Sequence, residues 1–250
     1  MTRTIIVFLE YKDSEEWFGR ELLSDGKILY ACNDTINVVT YREKEPDYNE
    51  IIIVKYAENT MCDDAVERLN QFASKLKSYK VFQVKPYPQS QIDLMNKGIK
   101  NGATSKTKNQ ERVDLDELPV SFKRVFSTRD TSRPYIMLFF NKYRDVPIYP
   151  EDYKGERKKT GLEAYMEYGK HASKYQGGVK ASMYLVAKFK KTIVSDIDEE
   201  WDMLALARYP TLAHFKKMVT TPTFGDRGIH YQAGLERNVV WGTFPYEEFT

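Results

Sequence analysis

Histidine and cysteine are scarce in this chain of 250 residues, with three of the first and two of the second. Cys32 and Cys62 have neither metal-ligand spacing nor the density of a secreted disulfide scaffold, so both readings fall away and a reducing cytoplasm is expected. An excess of one charge is missing too. Lys plus Arg at 38 against Asp plus Glu at 36 leave +2, which is no electrostatic footprint for nucleic acid or an anionic membrane. Long apolar runs are also lacking: the opening MTRTIIVFLEYKDSEEWF turns to charge after one short stretch and carries no small-residue cleavage site, so it reads as a first strand. No GxSxG elbow, HExxH helix, Walker loop or dinucleotide GxGxxG stands in a fitting context, which leaves hydrolase, zinc-protease, NTPase and Rossmann readings without their residues. The pair His230 and Glu236 is too sparse to name a metal, and no cofactor is expected.

What is present is apolar and aromatic: 42% hydrophobic residues, enough for real cores, and 18 tyrosines. Runs rich in β-branched and aromatic residues predict strands at Thr4 to Tyr11, Thr35 to Tyr41, Glu50 to Tyr56 and Lys80 to Lys85. A helix fits between the first two, and Cys62 to Leu76 predicts another with Ala65, Leu69, Phe72, Ala73 and Leu76 on one face. The first half therefore reads βαββαβ.

The second half repeats that order, with strands predicted at Tyr135 to Asn141, Ala181 to Ile193, Trp201 to Tyr209 and Asn238 to Phe244. Its first helix, GLEAYMEYGKHASKY, places Leu162, Tyr165, Met166, Gly169 and Ala172 on one stripe and is expected to stop at Gly177 and Gly178. Its second opens after Pro210 with Thr211 as N-cap and buries Leu212, Phe215, Met218 and Val219. Residues echo between the halves in order: EYKD at Glu10 answers KYRD at Lys142, Lys55-Tyr56 answers Arg208-Tyr209, and VFQVKPY at Val81 answers VWGTFPY at Val240.

These patterns predict an α+β fold: two fused ferredoxin-like βαββαβ repeats, residues 1–88 and 134–250, joined by a partly mobile linker over 89–133 with a short helix near Gln89 to Lys97. Each unit would cover one sheet face with its helices and lay the other against its twin, giving a pseudo-dimeric α/β barrel within one chain. Further association into a homo-oligomer stays open.

GLEAYMEYG from Gly161, the Gly177-Gly178 pair, WDMLALARYPTLAHFKKMV from Trp201 and HYQAGLE from His230 resemble the blocks of the DUF 1330-like proteins, members of the dimeric α/β-barrel superfamily. The resemblance covers the second half. It departs at one position: where the family reads His-Arg before Ala-Gly-Leu, this chain has His230-Tyr231, so an arginine role there does not carry over. The superfamily spans cofactor-free monooxygenases, isomerases, polyketide cyclases and haem enzymes, so the resemblance implies a fold and no single reaction.

Of the three histidines, His171 and His214 fall on charged helix faces and read as surface residues. His230 is the candidate general base or hydrogen-bond donor, against the alternative of a structural hydrogen bond. Tyr168 is the candidate donor beside it and Arg208 the candidate anion partner; Tyr165, Tyr209 and Trp201 would line the site, or simply pack. The expected function is a small-molecule enzyme carrying out proton transfer on an aromatic or carbonyl metabolite as an isomerase, cyclase or cofactor-free monooxygenase. A non-catalytic ligand-binding or interaction module is the alternative, and haem binding, which would have to use His230, is a third.

Overall fold

The computed structural model describes residues 2–13, 18–41, 46–102, 118–195, 200–221 and 228–249. Among them run eight strands: β1 Arg3–Tyr11, β2 Lys27–Tyr41, β3 Glu50–Tyr56, β4 Leu76–Pro86, β5 Tyr135–Tyr143, β6 Ser182–Val194, β7 Met203–Tyr209 and β8 Leu235–Pro245. Seven helices accompany them: α1 Gly19–Leu22, α2 Asn59–Gln71, α3 Gln89–Gly102, α4 Val120–Thr128, α5 Gly161–Gly178, α6 Leu212–Val219 and α7 Gly228–Gly234.

The strands close into one antiparallel barrel in the order β1-β3-β2-β8-β5-β7-β6-β4. Within each half the order is fourth, first, third, second strand, so the ring carries that sequence twice. It closes only where β2 meets β8 and β4 meets β6, so the halves share a single interior.

β1 reads RTIIVFLEY with no apolar–polar alternation because both its faces are covered. Ile6 and Phe8 point inward, while Ile5, Val7 and Leu9 face the helices. The inward cluster draws from every strand, and its centre is aromatic: Phe8 lies 5.0 Å from Tyr48, 5.8 Å from Phe140 and 5.0 Å from Trp241 between ring centroids. An eight-stranded ring is narrow enough for side chains to fill it, and these do. α2 covers the outside of the first half through Cys62, Ala65 and Leu69; α6 covers the second through Leu212 and Phe215, and α4 lies over β2 with Val125 in the same cluster.

Several elements differ from the sequence expectations for local reasons. β2 starts at Lys27, eight residues before the expected Thr35, and the first-half helix before it shrinks to α1. α2 ends at Gln71, and Leu76 opens β4. Gly177 and Gly178 are the last helical residues of α5; the chain turns at Lys180, with φ of 56° in the left-handed region. Thr211 stands at the N-cap of α6, yet its hydroxyl bonds His214 Nδ1 at 2.8 Å instead of a backbone amide. Trp201 precedes β7 and lies inside the barrel 5.5 Å from Phe140, with the Arg237 guanidinium 4.5 Å above its ring.

The segment expected as a tether contributes two packed helices. In α3, Asn96 donates to Met183 O at 3.0 Å and accepts from Met183 N at 2.6 Å, prolonging the ladder of β6 past the end of β4. After α4, Arg129 and Arg133 both pair with Asp34 of β2, at 3.0 and 2.9 Å. Residues 103–117, which include the polar ATSKTKN run, lie outside the described residues.

Candidate functional site

α5 begins with a capping box: the Thr160 hydroxyl accepts from Glu163 N at 3.2 Å and the Glu163 carboxylate accepts from Thr160 N at 3.1 Å. The helix then meets α7 through backbone. Gly161 and Gly234 touch, and a Cβ on Gly234 would stand 2.5 Å from Gly161 O and 3.0 Å from Tyr165 N. That seating turns α5 by about one residue, roughly 100°, from the expected stripe. Gly161, Ala164 and Ala172 are buried, whereas Leu162 and Met166 are 48% and 55% exposed.

Tyr165 and Tyr168 consequently face the outer side of the second-half sheet and meet Tyr231 of α7 and Tyr143 of β5. Ring centroids are 5.3 Å apart for Tyr143 and Tyr165, 6.2 Å for Tyr165 and Tyr231, and 5.0 Å for Tyr168 and Tyr231. Tyr209 lies on the same face, its phenol influenced by Gln176 and Tyr168. Burial raises the phenols of Tyr143, Tyr165, Tyr209 and Tyr231, so all stay protonated at neutral pH. Beneath them the sheet surface is low, with Ala205 and Ala207 on β7. Phe139, paired with Ala205 and Val240 in the middle of the sheet, keeps partial exposure.

Two amides lie beside this tyrosine cluster. The Tyr231 hydroxyl donates to Asn238 Oδ1, and Asn238 Nδ2 donates to Phe140 O at 3.0 Å and to Asn141 Oδ1 at 2.5 Å. Asn141 is fully buried; its Nδ2 completes no hydrogen bond, although the side chain lies within hydrogen-bonding influence of the phenols of Tyr143 and Tyr165.

His230 faces the other way. Its Nδ1 is 2.8 Å from the Tyr149 hydroxyl and its Nε2 3.3 Å from that of Tyr153, with the two tyrosine rings stacked 4.9 Å apart at 9°. Desolvation lowers the imidazole pKa, so it is neutral at pH 7, and both nitrogens are engaged. The imidazole staples the β5–α5 loop to α7. A haem ligand needs a ring nitrogen free for iron, so His230 as it stands does not fit that role.

The sequence candidates thus divide. Tyr165, Tyr168 and Tyr209 come together between α5 and the outer face of the sheet, with Tyr209 itself buried. His230 stands behind this cluster. Arg208 lies between Ala207 and Tyr209, which face the helices, so its side chain leaves from the inward face of the sheet, where its charge reaches Tyr184. Trp201 is also inside the barrel. The constellation of His230, Tyr168 and Arg208 is therefore not assembled. Asn141, Asn238, Tyr143 and Tyr231 were missed. For Tyr231 a signal existed, since it replaces the arginine of the resembled family; for the asparagines the signal was two polar residues on the helix-facing side of strands.

No protein-family model and no curated protein matches this sequence. The DUF 1330-like resemblance rests on its motif blocks alone. Among solved structures, a Rhodopseudomonas palustris protein of unknown function is 24% identical with a TM-score of 0.46, covering 55% of this chain and 99% of its own. A provisionally assigned monooxygenase from Lactobacillus acidophilus is 12% identical with a TM-score of 0.41, covering 98% of this chain and 93% of its own. A mutant chlorite dismutase from Candidatus Nitrospira defluvii in complex with cyanide is 10% identical with a TM-score of 0.39, covering 99% and 94%. No helix among the described residues is long and apolar enough to cross a membrane.

Proposed function

We propose that the second half of this protein binds a flat organic molecule in the cleft between α5, α7 and the outer face of β5, β7 and β8. Partly exposed Phe139 carries this reading, because a mid-sheet aromatic under a helix roof is normally sealed. The walls are phenols and amides, which suits an aromatic metabolite bearing a carbonyl. Protonated tyrosines there donate hydrogen bonds to developing negative charge on oxygen, the electrophilic half of a proton-transfer reaction. Tyr168 is the donor in this reading, and His230 positions α7 without acting as base.

The doubled strand order fits two fused ferredoxin-like units in a pseudo-dimeric α/β barrel. β1 and β5 have nine residues each, β3 and β7 seven, and β4 and β8 eleven. The first half is the cover. Its α1 sits directly on the sheet, where a Cβ on Gly19 would stand 2.6 Å from Glu50 Oε2 and 2.9 Å from Ile52 Cδ1, leaving no space for a ligand.

Methyl NMR tests the site. Titration with 2-acetylnaphthalene should shift the methyls of Ala205, Ala207 and Met203, while Ala187 inside the barrel and Ala65 of the first half stay still. Shifts confined to the latter pair, or none at the solubility limit of the probe, would overturn the reading.

A further inference from the structure

The geometry points to Asn141 Nδ2 as the donor that receives the carbonyl oxygen of an uncharged ligand, held in place by a one-way hydrogen-bond chain from Tyr231 through Asn238. This rests on the small-molecule reading of the cleft.

The chain has a fixed direction. The Tyr231 hydroxyl can only donate to Asn238 Oδ1 if Asn238 Nδ2 turns to Asn141, and Asn141 Oδ1 then accepts. The Asn238 amide is locked by its second bond to Phe140 O. Asn141 therefore turns its NH₂ away from Asn238; that buried group completes no hydrogen bond, and the phenols of Tyr143 and Tyr165, which the same amide influences, stand beside it. Chained hydrogen bonds polarise one another, which makes the terminal donor stronger than an isolated amide.

The fold itself does not require these residues. Asn141 is the seventh residue of β5, and the seventh residue of the equally long β1 is Leu9; Asn238 is the fourth of β8, and the fourth of β4 is Tyr79. The half without a cleft has neither amide. Charge complements the assignment. The influences on Tyr143 come from burial, from the neighbouring Tyr165 and Tyr87, from hydrogen bonding by the Asn141 amide and from the Asp202 carboxylate, whose field opposes a second anion. A neutral carbonyl satisfies the donor without a counter-ion, whereas a carboxylate would compete with Asp202 for Lys142, which stands 3.8 Å from that carboxylate.

The experiment compares three probes of one shape: 2-acetylnaphthalene, 2-ethylnaphthalene and 2-naphthoate, titrated into wild type, Asn141→Leu and Tyr231→Phe by methyl NMR. In wild type the ketone should bind about tenfold tighter than the ethyl analogue, the value of one buried hydrogen bond, and the naphthoate most weakly. Asn141→Leu should erase the ketone preference, and Tyr231→Phe should reduce it without abolishing it. The infrared C=O stretch of the bound ketone should fall below its position in hexane in wild type; this reading needs no variant and decides the matter if Asn141→Leu does not fold. Equal binding of ketone and ethyl analogue, as when a water keeps the donor, or tightest binding of the naphthoate, overturns the donor assignment while the cleft stands. Failure of all three probes to bind overturns the cleft reading and the assignment with it.

Discussion

Gly234→Ala is the most direct perturbation of the α5–α7 seat. The added methyl would stand 2.5 Å from Gly161 O, 3.0 Å from Tyr165 N and 3.1 Å from Ala164 Cβ. Two of these are backbone atoms, so no rotamer change relieves the clash and α5 has to move as a body. Overpacking of this kind costs about 1–3 kcal/mol. At about 2–4 °C per kcal/mol for a chain of this size, Tm should fall by roughly 2–12 °C. The same helix supplies the control. A Cβ on Gly169 meets nothing within 4 Å, so Gly169→Ala should stabilise by about 0.5–1 kcal/mol through helix propensity and chain entropy alone. Thermal melts by circular dichroism and urea titrations measure both. Opposite signs at two glycines of one seat and one helix are the expected result. A Gly234→Ala protein that melts within a degree of wild type would refute the backbone-contact account, as would a destabilised Gly169→Ala.

Folding lowers the His230 pKa by desolvation, so its neutral form belongs to the native state; stability from this group is full above about pH 6.5 and is lost as pH falls through the depressed value. Melts between pH 8 and pH 5 should show a steeper acid loss in wild type than in His230→Gln, and parallel curves would remove the staple from the account. Asn96→Ala deletes two hydrogen bonds to Met183, worth about 1–2 kcal/mol together, and should speed hydrogen exchange at the Met183 amide; unchanged exchange would mean α3 is held otherwise. Phe8→Ala removes the ring that touches Tyr48, Phe82, Phe140 and Trp241 and should cost about 3–5 kcal/mol with a red shift of tryptophan emission, whereas a small loss would indicate a slack interior.

The strands were legible because β-branched and aromatic runs bounded by turn residues carry their own signal, and Glu50–Tyr56 has the expected bounds. The orientation of α5 was not. Small residues at Gly161 and Ala164 let the helix seat on α7, and that contact outweighed the larger apolar side chains of Leu162 and Met166. A periodic pattern identifies a helix face, but glycine and alanine count little in such a pattern and much in close packing.

The site was half legible for a related reason. Tyr165, Tyr168 and Tyr209 were found as aromatics of the second half, yet Arg208, beside Tyr209 in sequence, leaves from the opposite side of the sheet, because neighbouring residues in a strand alternate faces. His230 drew attention by rarity, and Tyr149 and Tyr153, far from it in sequence, occupy both its nitrogens.

By itself the sequence determined the strand runs, the echo between the halves and the poverty in charge excess, cysteine and histidine, since these follow from local composition and spacing. The tertiary structure decided that the strands close into one barrel around an aromatic interior, that α1 packs directly on the first-half sheet, and that Asn141 ends a hydrogen-bond chain from Tyr231 through Asn238. Those features arise from contacts between residues distant along the chain, where direction and distance, not residue type, set the chemistry.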